Sequence, residues 1–127
     1  MHKNRKVNAN LTYDIHIVEA LKNLPVPLLT FDGHKVYFDE DKRNETIYEH
    51  IANKNHHLHV VDIKKIQTIL LDEFSLVEDK NGISFRTYIG LRGKKNESSK
   101  YLQITTRLKK DNIESIITIY PTKIKRW

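Results

Sequence analysis

The sequence predicts an α+β protein in which N-terminal helices pack on a four-stranded antiparallel sheet. Its 127 residues are enough for one hydrophobic core, so we expect a single domain over residues 1–127. Before about residue 74 the apolar side chains recur every three or four positions, as in helices. After that point they recur at every second position, as in strands, so the helices precede the sheet.

The first 43 residues predict one helix followed by a small hairpin. In DIHIVEALKNL (14–24) the apolar residues lie about three apart, and Pro25 ends the pattern. The stretch LLTFDGHKVYFDE (28–40) alternates on both sides of Asp32 and Gly33, a dipeptide that accepts the positive φ angles of a tight turn. We therefore expect a hairpin beside the main sheet.

Two more helices are expected before the sheet. ETIYEHIANK (45–54) follows Asn44, and IKKIQTILLDEF (63–74) follows Asp62; both preceding residues are favourable helix N-caps. Each segment has an apolar stripe that could face a core.

Four strands joined by short polar turns are predicted at 74–79, 83–92, 101–109 and 112–122. Because side chains on a strand alternate between faces, Phe85 and Ile89 are assigned to the core. The opposite face is predicted to be polar, basic and aromatic, with Arg86, Tyr88, Arg92, Gln103, Thr105, Arg107, Thr118 and Tyr120.

Positive charge concentrates in the last third of the chain. Residues 85–127 contain eleven Lys and Arg against three Asp and Glu, whereas residues 1–60 contain eight of each. Such a region is typical of a surface that faces a polyanion, although a lysine-rich solvated surface is the alternative. The sequence contains no cysteine, secretory signal or apolar run of membrane-spanning length, so a thiol mechanism, export and a membrane location are not expected.

Four of the seven histidines fall between residues 50 and 59: His50, His56, His57 and His59. A metal site, an acid/base pair and a solvated helix end are the three explanations. HExxH spacing and cysteine ligands are both missing, so we expect no metal and no cofactor. Histidine can carry a proton in either direction near neutral pH, which favours acid/base chemistry.

RNA can be cleaved without a metal if three groups are supplied. A base removes the 2′-hydroxyl proton, an acid protonates the leaving oxygen, and positive charge stabilises the transition state. Arg86 or Arg107 could bind phosphate, and Tyr88 or Tyr120 could stack on a base or donate a hydrogen bond.

The order of these motifs resembles the phage-associated branch of the barnase/EndoU/colicin/RelE-like nuclease superfamily. The resemblance covers residues 44–122, the expected nuclease core, and leaves residues 1–43 as an extension carrying the first helix and the hairpin. By this resemblance the catalytic set is His50 in TIYEHI, His57 in NKNHHLH, Arg86 and Tyr88 in FRTYIG, and Thr118 and Tyr120 in ITIYP. His56 and His59 remain alternatives to His57.

The resemblance implies a metal-independent endoribonuclease of toxin or phage type, with tRNA as the candidate substrate. His50 and His57 would divide the acid and base roles, and Arg86 would hold the scissile phosphate. Arg92, Gln103 and Arg107 are the expected substrate-binding residues. RNA and an immunity or antitoxin protein would be the partners, in a bacterial cytoplasm or in a target cell reached by a toxin. The alternatives are a non-catalytic RNA- or DNA-binding module using the basic sheet face and a protein-interaction module.

Overall fold

The computed structural model describes residues 11–41, 44–79, 81–93 and 98–123. Within these residues there are four short helices: α1 (Ile15–Lys22), α2 (Ile47–Ile51), α3 (Val60–Ile63) and α4 (Ile66–Leu70). The strands are β1 (Leu28–Leu29), β2 (Lys35–Phe38), β3 (Phe74–Glu78), β4 (Ser84–Leu91), β5 (Tyr101–Lys109) and β6 (Ile113–Thr122). In the described part of the chain no helix has the length and apolar character needed to cross a membrane.

The predicted four-stranded antiparallel sheet is wrong, because the sheet has six strands and is mixed. The order is β1-β2-β6-β5-β4-β3, and β2 runs parallel to β6 with Lys35 opposite Ile113 and Phe38 opposite Ile116. The hairpin is therefore part of the sheet. Alternation reveals that a segment is a strand but not which distant strand it joins, so this pairing could not be predicted from the pattern.

The helices are shorter than predicted, and both expected caps are wrong. Thr46, not Asn44, caps α2 through a reciprocal pair of hydrogen bonds with Glu49. Asp62 lies inside α3, where its carboxylate accepts hydrogen bonds from the backbone N–H groups of His59 and Gly93. The contact with Gly93 comes from a distant part of the chain, so a local cap pattern could not reveal it.

The helices cover one face of the sheet and form the core with it. Buried side chains from the helices, including Ile17, Leu21, Ile47, Ile51, Ile66 and Leu70, join Leu102, Ile104, Ile116 and Ile119 of β5 and β6. A bulge in the β5–β6 pairing at Thr105 and Thr106 shifts the alternation of β6. Ile116 and Ile119 are therefore both buried although they lie three positions apart.

The predicted faces of β4 are inverted at Arg86 and Tyr88, whereas Ile89 is buried as predicted. Arg86 lies opposite Thr106 and Tyr88 lies opposite Ile104, and paired residues in a sheet point to the same side. Arg86 and Tyr88 are therefore buried on the side of the sheet that carries the core, instead of lying on an exposed basic surface. Apolar residues on both faces of β4 left the alternation ambiguous.

Gly90 allows α4 to approach β4, which gives a testable consequence for stability. A Cβ at this position would lie 2.7 Å from Ile69 Cγ1. We expect Gly90→Ala to lower the free energy of unfolding by about 1–3 kcal/mol, measured by urea denaturation, because the closely packed side chain must move. In an Ile69→Ala background the same substitution should cost less than about half as much. An equal cost in both backgrounds would contradict this explanation.

Candidate active site

A tight reversal of the chain after α2 brings His50 and His56 together. A 3₁₀ turn at Lys54–His56 follows the helix, and His57 then adopts a left-handed conformation with φ of 54°. The rings of His50 and His56 meet edge to face, with their centroids 6.2 Å apart. The pattern predicted His57 as the partner of His50, whereas the described ring contact is with His56.

Both imidazoles are oriented by a hydrogen bond at Nδ1. His56 Nδ1 lies 2.7 Å from the carbonyl oxygen of Ile51, and His50 Nδ1 lies 3.2 Å from Glu45 Oε1. A carbonyl oxygen can only accept, so His56 Nδ1 carries the hydrogen, and an ionised carboxylate imposes the same arrangement on His50. Nε2 of each ring is then left for other chemistry, since within the described ranges neither has a hydrogen-bond partner.

Tyr120 of β6 completes the cluster. Its ring centroid lies 6.5 Å from that of His56, and its hydroxyl accepts a 2.7 Å hydrogen bond from Gln103 Nε2. The hydroxyl hydrogen is thus available to donate to another molecule. Tyr120 and Gln103 were both predicted site residues; Tyr120 lies beside His56, and Gln103 reaches the cluster through its hydrogen bond to Tyr120.

The cluster borders an open cleft of about 300 Å³, which we call the histidine cleft. It is lined by Asn55, His56, His57, Arg92, Ser98, Ser99, Tyr120 and Pro121. His57 reaches the same cleft as His56, although its ring makes no described contact with that of His50. A cleft of this size with three aromatic or imidazole rings could admit a nucleotide-sized group.

Arg92 supports the cleft from inside the protein. Its guanidinium pairs with the buried carboxylate of Asp62 at 2.7 Å and donates a 3.1 Å hydrogen bond to the carbonyl oxygen of His57. The side chains of both residues are buried. Arg92, which follows β4, thereby holds the backbone at His57 and the carboxylate of Asp62 in α3. The predicted substrate-binding role of Arg92 would require breaking these contacts.

Arg86 and Tyr88 belong to a second group, the buried ion network, whose members are Asp32, His34, Arg86, Tyr88, Thr106 and Glu114. Glu114 is fully buried at its centre and accepts hydrogen bonds from Arg86 Nη1 at 2.7 Å and from the hydroxyls of Tyr88 and Thr106. His34 Nδ1 also lies 2.7 Å from Glu114. Asp32 in the β1–β2 turn receives two further hydrogen bonds from Arg86.

The network fixes the ionisation of its members. Hydrogen bonds from Arg86 hold the pKa of Asp32 well below its usual range, so this carboxylate stays ionised. Burial raises the pKa of Tyr88, and its hydrogen bond to Glu114 adds to the rise, so the hydroxyl remains a neutral donor. Burial alone would lower the pKa of Arg86, but Asp32, Tyr88 and Glu114 raise it above its usual value. Arg86 is therefore a paired internal cation.

The remaining predicted site residues lie apart from the histidines. Arg107 is half-buried and pairs with Asp39 at 3.2 Å, next to Lys109. Thr118 lies two positions before Tyr120 on the same face of β6, but no contact of its side chain with the histidines is described. His59 precedes α3 and lines a different cavity, which His57 also borders.

Several residues of the two groups were not predicted. Glu45 lies five positions before His50, a spacing that belongs to no known motif. Asp32 and His34 were already accounted for by the predicted hairpin turn, so no feature of the sequence indicated another role for them. Glu114 offered a signal, since it is an acidic residue among the apolar positions of NIESIITIYPT. A carboxylate at an inward position of a strand requires a buried partner.

Comparison with protein-family models, curated proteins and solved structures found no match to this chain. Among the described residues, no group of three or more histidine, aspartate or glutamate side chains is arranged to hold a metal ion. The chemistry of the site must therefore be argued from the side chains themselves.

Proposed function

We propose that this protein is a metal-independent endoribonuclease in which His50 and His56 form the acid/base pair. One observation carries the proposal: two adjacent imidazoles are each held through Nδ1, which leaves both Nε2 atoms for proton transfer, and the His56 ring lines an open cleft. RNA suits such a pair because its 2′-hydroxyl supplies the nucleophile beside the scissile phosphate. Two proton carriers are then sufficient for the reaction.

In the proposed reaction, His56 is the base. Its Nε2 removes the 2′-hydroxyl proton while the oxygen attacks phosphorus, and Ile51 holds the ring in the tautomer that this step needs. His50 is the acid and protonates the departing 5′-oxygen as the P–O bond breaks. Glu45 Oε1 lies 3.2 Å from His50 Nδ1 and holds this ring in position. The products are a 2′,3′-cyclic phosphate and a free 5′-hydroxyl.

The positive charge for the transition state comes from the protonated His50 in this scheme, not from Arg86. Arg86, Arg92 and Arg107 each have a carboxylate partner. Tyr120 adds a neutral donor toward a non-bridging phosphate oxygen, and Gln103 holds its hydroxyl in position.

An RNA substrate implies which partners the protein would have and where it would act. The excess of Lys and Arg over Asp and Glu in residues 85–127, eleven against three, would attract the RNA backbone, and tRNA is the substrate class that the sequence resemblance suggests. Such an enzyme would act in a bacterial cytoplasm, as a phage or toxin nuclease, and would need an immunity or antitoxin protein to protect its producer. Sequencing the ends of the RNA fragments would identify the sequence at which the enzyme cuts.

The proposal predicts cleavage in the presence of chelator. Purified protein incubated with total tRNA and EDTA should produce fragments ending in 2′,3′-cyclic phosphate, detected by gel electrophoresis and end analysis, because both proton carriers are side chains. The control is the His50→Gln, His56→Gln double variant, which should bind the same RNA without cutting it. Activity that disappears in EDTA and returns with a divalent ion would contradict the mechanism. RNA binding without cleavage by either protein would favour the binding module.

A further inference from the structure

We propose that the histidine cleft and a neighbouring cavity bind two successive bases of single-stranded RNA, with the ring of His57 between them. The inference deepens the proposed ribonuclease function and rests on it, since it assumes an RNA ligand. It gives a role to His57, which takes no part in the proposed proton transfers. It also narrows the substrate class from RNA in general to unpaired strands.

His57 is the described residue that lines both cavities, and it is exposed. The histidine cleft has a volume of about 300 Å³. The neighbouring cavity, which we call the second cavity, has a volume of about 230 Å³, and its lining includes Asp14, Asn53, Lys54 and His59. Pockets for drug-sized ligands measure about 300–1,000 Å³, so each of these cavities suits a group the size of a single base.

The backbone of His57 is held by hydrogen bonds on both sides. Its N–H donates to the carbonyl oxygen of Lys54 at 3.2 Å, and its own carbonyl oxygen accepts a 3.1 Å hydrogen bond from Arg92. The same guanidinium donates to the carbonyl oxygen of Ser99 in the histidine cleft, at 3.4 Å. A fixed backbone therefore presents the His57 ring, so less conformational freedom is lost when a base stacks on it.

The lining of both cavities suits bases better than phosphates. Among the described residues of the histidine cleft, Arg92 carries the one fixed charge, and that charge is paired with Asp62 at 2.7 Å. In the second cavity the Asp14 carboxylate would repel a phosphate but can accept hydrogen bonds from the amino group of a base. The side-chain amides of Asn55 in the cleft and Asn53 in the second cavity can each pair with a base edge.

A ring between two bases requires an unpaired strand. In a duplex each base is stacked on its neighbours and paired along one edge, whereas the bases of a single strand can separate and stack on an imidazole. Lys54 is exposed at the second cavity and can pair with the phosphate that joins the two nucleotides. A base held in the histidine cleft beside His56 and Tyr120 keeps its own phosphate close to the proposed proton carriers.

Binding to strands that cannot be cut tests the proposal separately from catalysis. The probe is a short fluorescent RNA strand with 2′-fluoro groups, which lacks the nucleophile, and its affinity for the full chain is measured by fluorescence anisotropy. The protein should bind this single strand at least about tenfold more tightly than its duplex, because stacking on two bases is lost in the duplex. It should also bind the strand at least about tenfold more tightly than a tetrahydrofuran-phosphate strand of the same length and charge, which has no bases.

His57→Asn tests the ring itself, because asparagine tolerates the left-handed backbone at this position. This variant should bind the single strand at least about fivefold more weakly than the parent protein, with no change in affinity for the strand without bases. His16→Asn, which removes an exposed imidazole of α1, is the matched control and should leave both affinities unchanged.

Nuclear magnetic resonance of isotope-labelled protein reports on the two cavities separately, through the side-chain amides of Asn55 and Asn53. The single strand should shift both sets of signals, and the strand without bases should shift neither. Shifts in one cavity alone, equal affinity for the duplex or for the strand without bases, or an unchanged affinity of His57→Asn would each overturn the proposal. If the expected binding is found but RNA is not cut, the ribonuclease function fails and the two base sites stand. Cleavage without this binding pattern overturns the base sites alone.

Discussion

Replacing Arg86 with methionine should lower the free energy of unfolding by about 3–5 kcal/mol, measured by urea denaturation with circular dichroism. Methionine fills much of the same space but removes the cation that pairs with Asp32 and Glu114. Glu114 would then be a fully buried carboxylate that has lost its guanidinium partner, and removing one partner of a buried ion pair costs several kcal/mol. Such a loss is a large part of the stability of a domain this size.

Arg107→Met is the matched control. Arg107 also pairs with an aspartate beside the sheet, but its side chain is 36% exposed, compared with 7% for Arg86. Exposed ion pairs contribute about 0–1 kcal/mol, so this variant should be nearly as stable as the parent protein. Similar costs for both variants would contradict the structural role of the network. If Arg86→Met does not fold, Tyr88→Phe should still lose about 1–3 kcal/mol by removing one donor to Glu114.

The network also makes the stability depend on pH. Arg86 depresses the pKa of Asp32 in the folded protein below its ordinary value of 3.8. The stability gained from this contact is therefore present above about pH 4 and is lost as the pH falls further. The difference in the free energy of unfolding between the parent protein and Arg86→Met should therefore become smaller in that acidic range. If this difference in free energy stays constant from pH 6 to pH 2.5, the ionised Asp32 carboxylate does not contribute to stability in the way proposed.

Replacing either His50 or His56 with glutamine should lower the rate of RNA cleavage at least about a hundredfold. Proton transfer from a positioned side chain typically contributes 10²–10⁴ in rate, and glutamine cannot carry out that transfer. Both substitutions are at partly exposed positions, so the midpoint of thermal unfolding should change little. Single-turnover cleavage under saturating enzyme separates this chemical step from RNA binding. Losses below tenfold for both variants would reject the acid/base assignment.

His57→Asn distinguishes the two candidates for the second histidine. Asparagine tolerates the left-handed backbone at residue 57, so the imidazole is removed without a change in backbone preference. We expect this variant to retain cleavage within about tenfold of the parent protein, because the described ring contact of His50 is with His56. A loss at His57 that exceeds the loss at His56 would restore the assignment made from the motif.

The local pattern predicted the strands well but not how they are assembled. Period-two alternation located β3 to β6 within a few residues, because alternation follows directly from strand geometry. The number of strands and their direction depend on the contact of β2 with β6, which joins residues nearly eighty positions apart. The inverted face of β4 has a similar cause, since Arg86 is buried only because Asp32 and Glu114 reach it.

The candidate site was predicted in part for the same reasons. The cluster of histidines is visible in the sequence. His50 and Tyr120 each lie beside His56, and Gln103 bonds Tyr120. The choice of His56 depends on a 3₁₀ turn and a left-handed residue, neither of which has a strong signal in NKNHHLH. A histidine that anchors its ring on the preceding helix needs that turn, and sequence spacing alone does not reveal it.

The position of β6 between β2 and β5 has a consequence for biosynthesis. It is the last strand in the described part of the chain, yet it joins the hairpin to the other three strands. During translation, β1 and β2 would leave the ribosome long before the strand to which they bond, and Glu114 would arrive after Arg86. The sheet and the buried ion network can close only when residues 113–116 have emerged. A nascent chain would therefore remain without its assembled sheet and cleft until β6 has emerged.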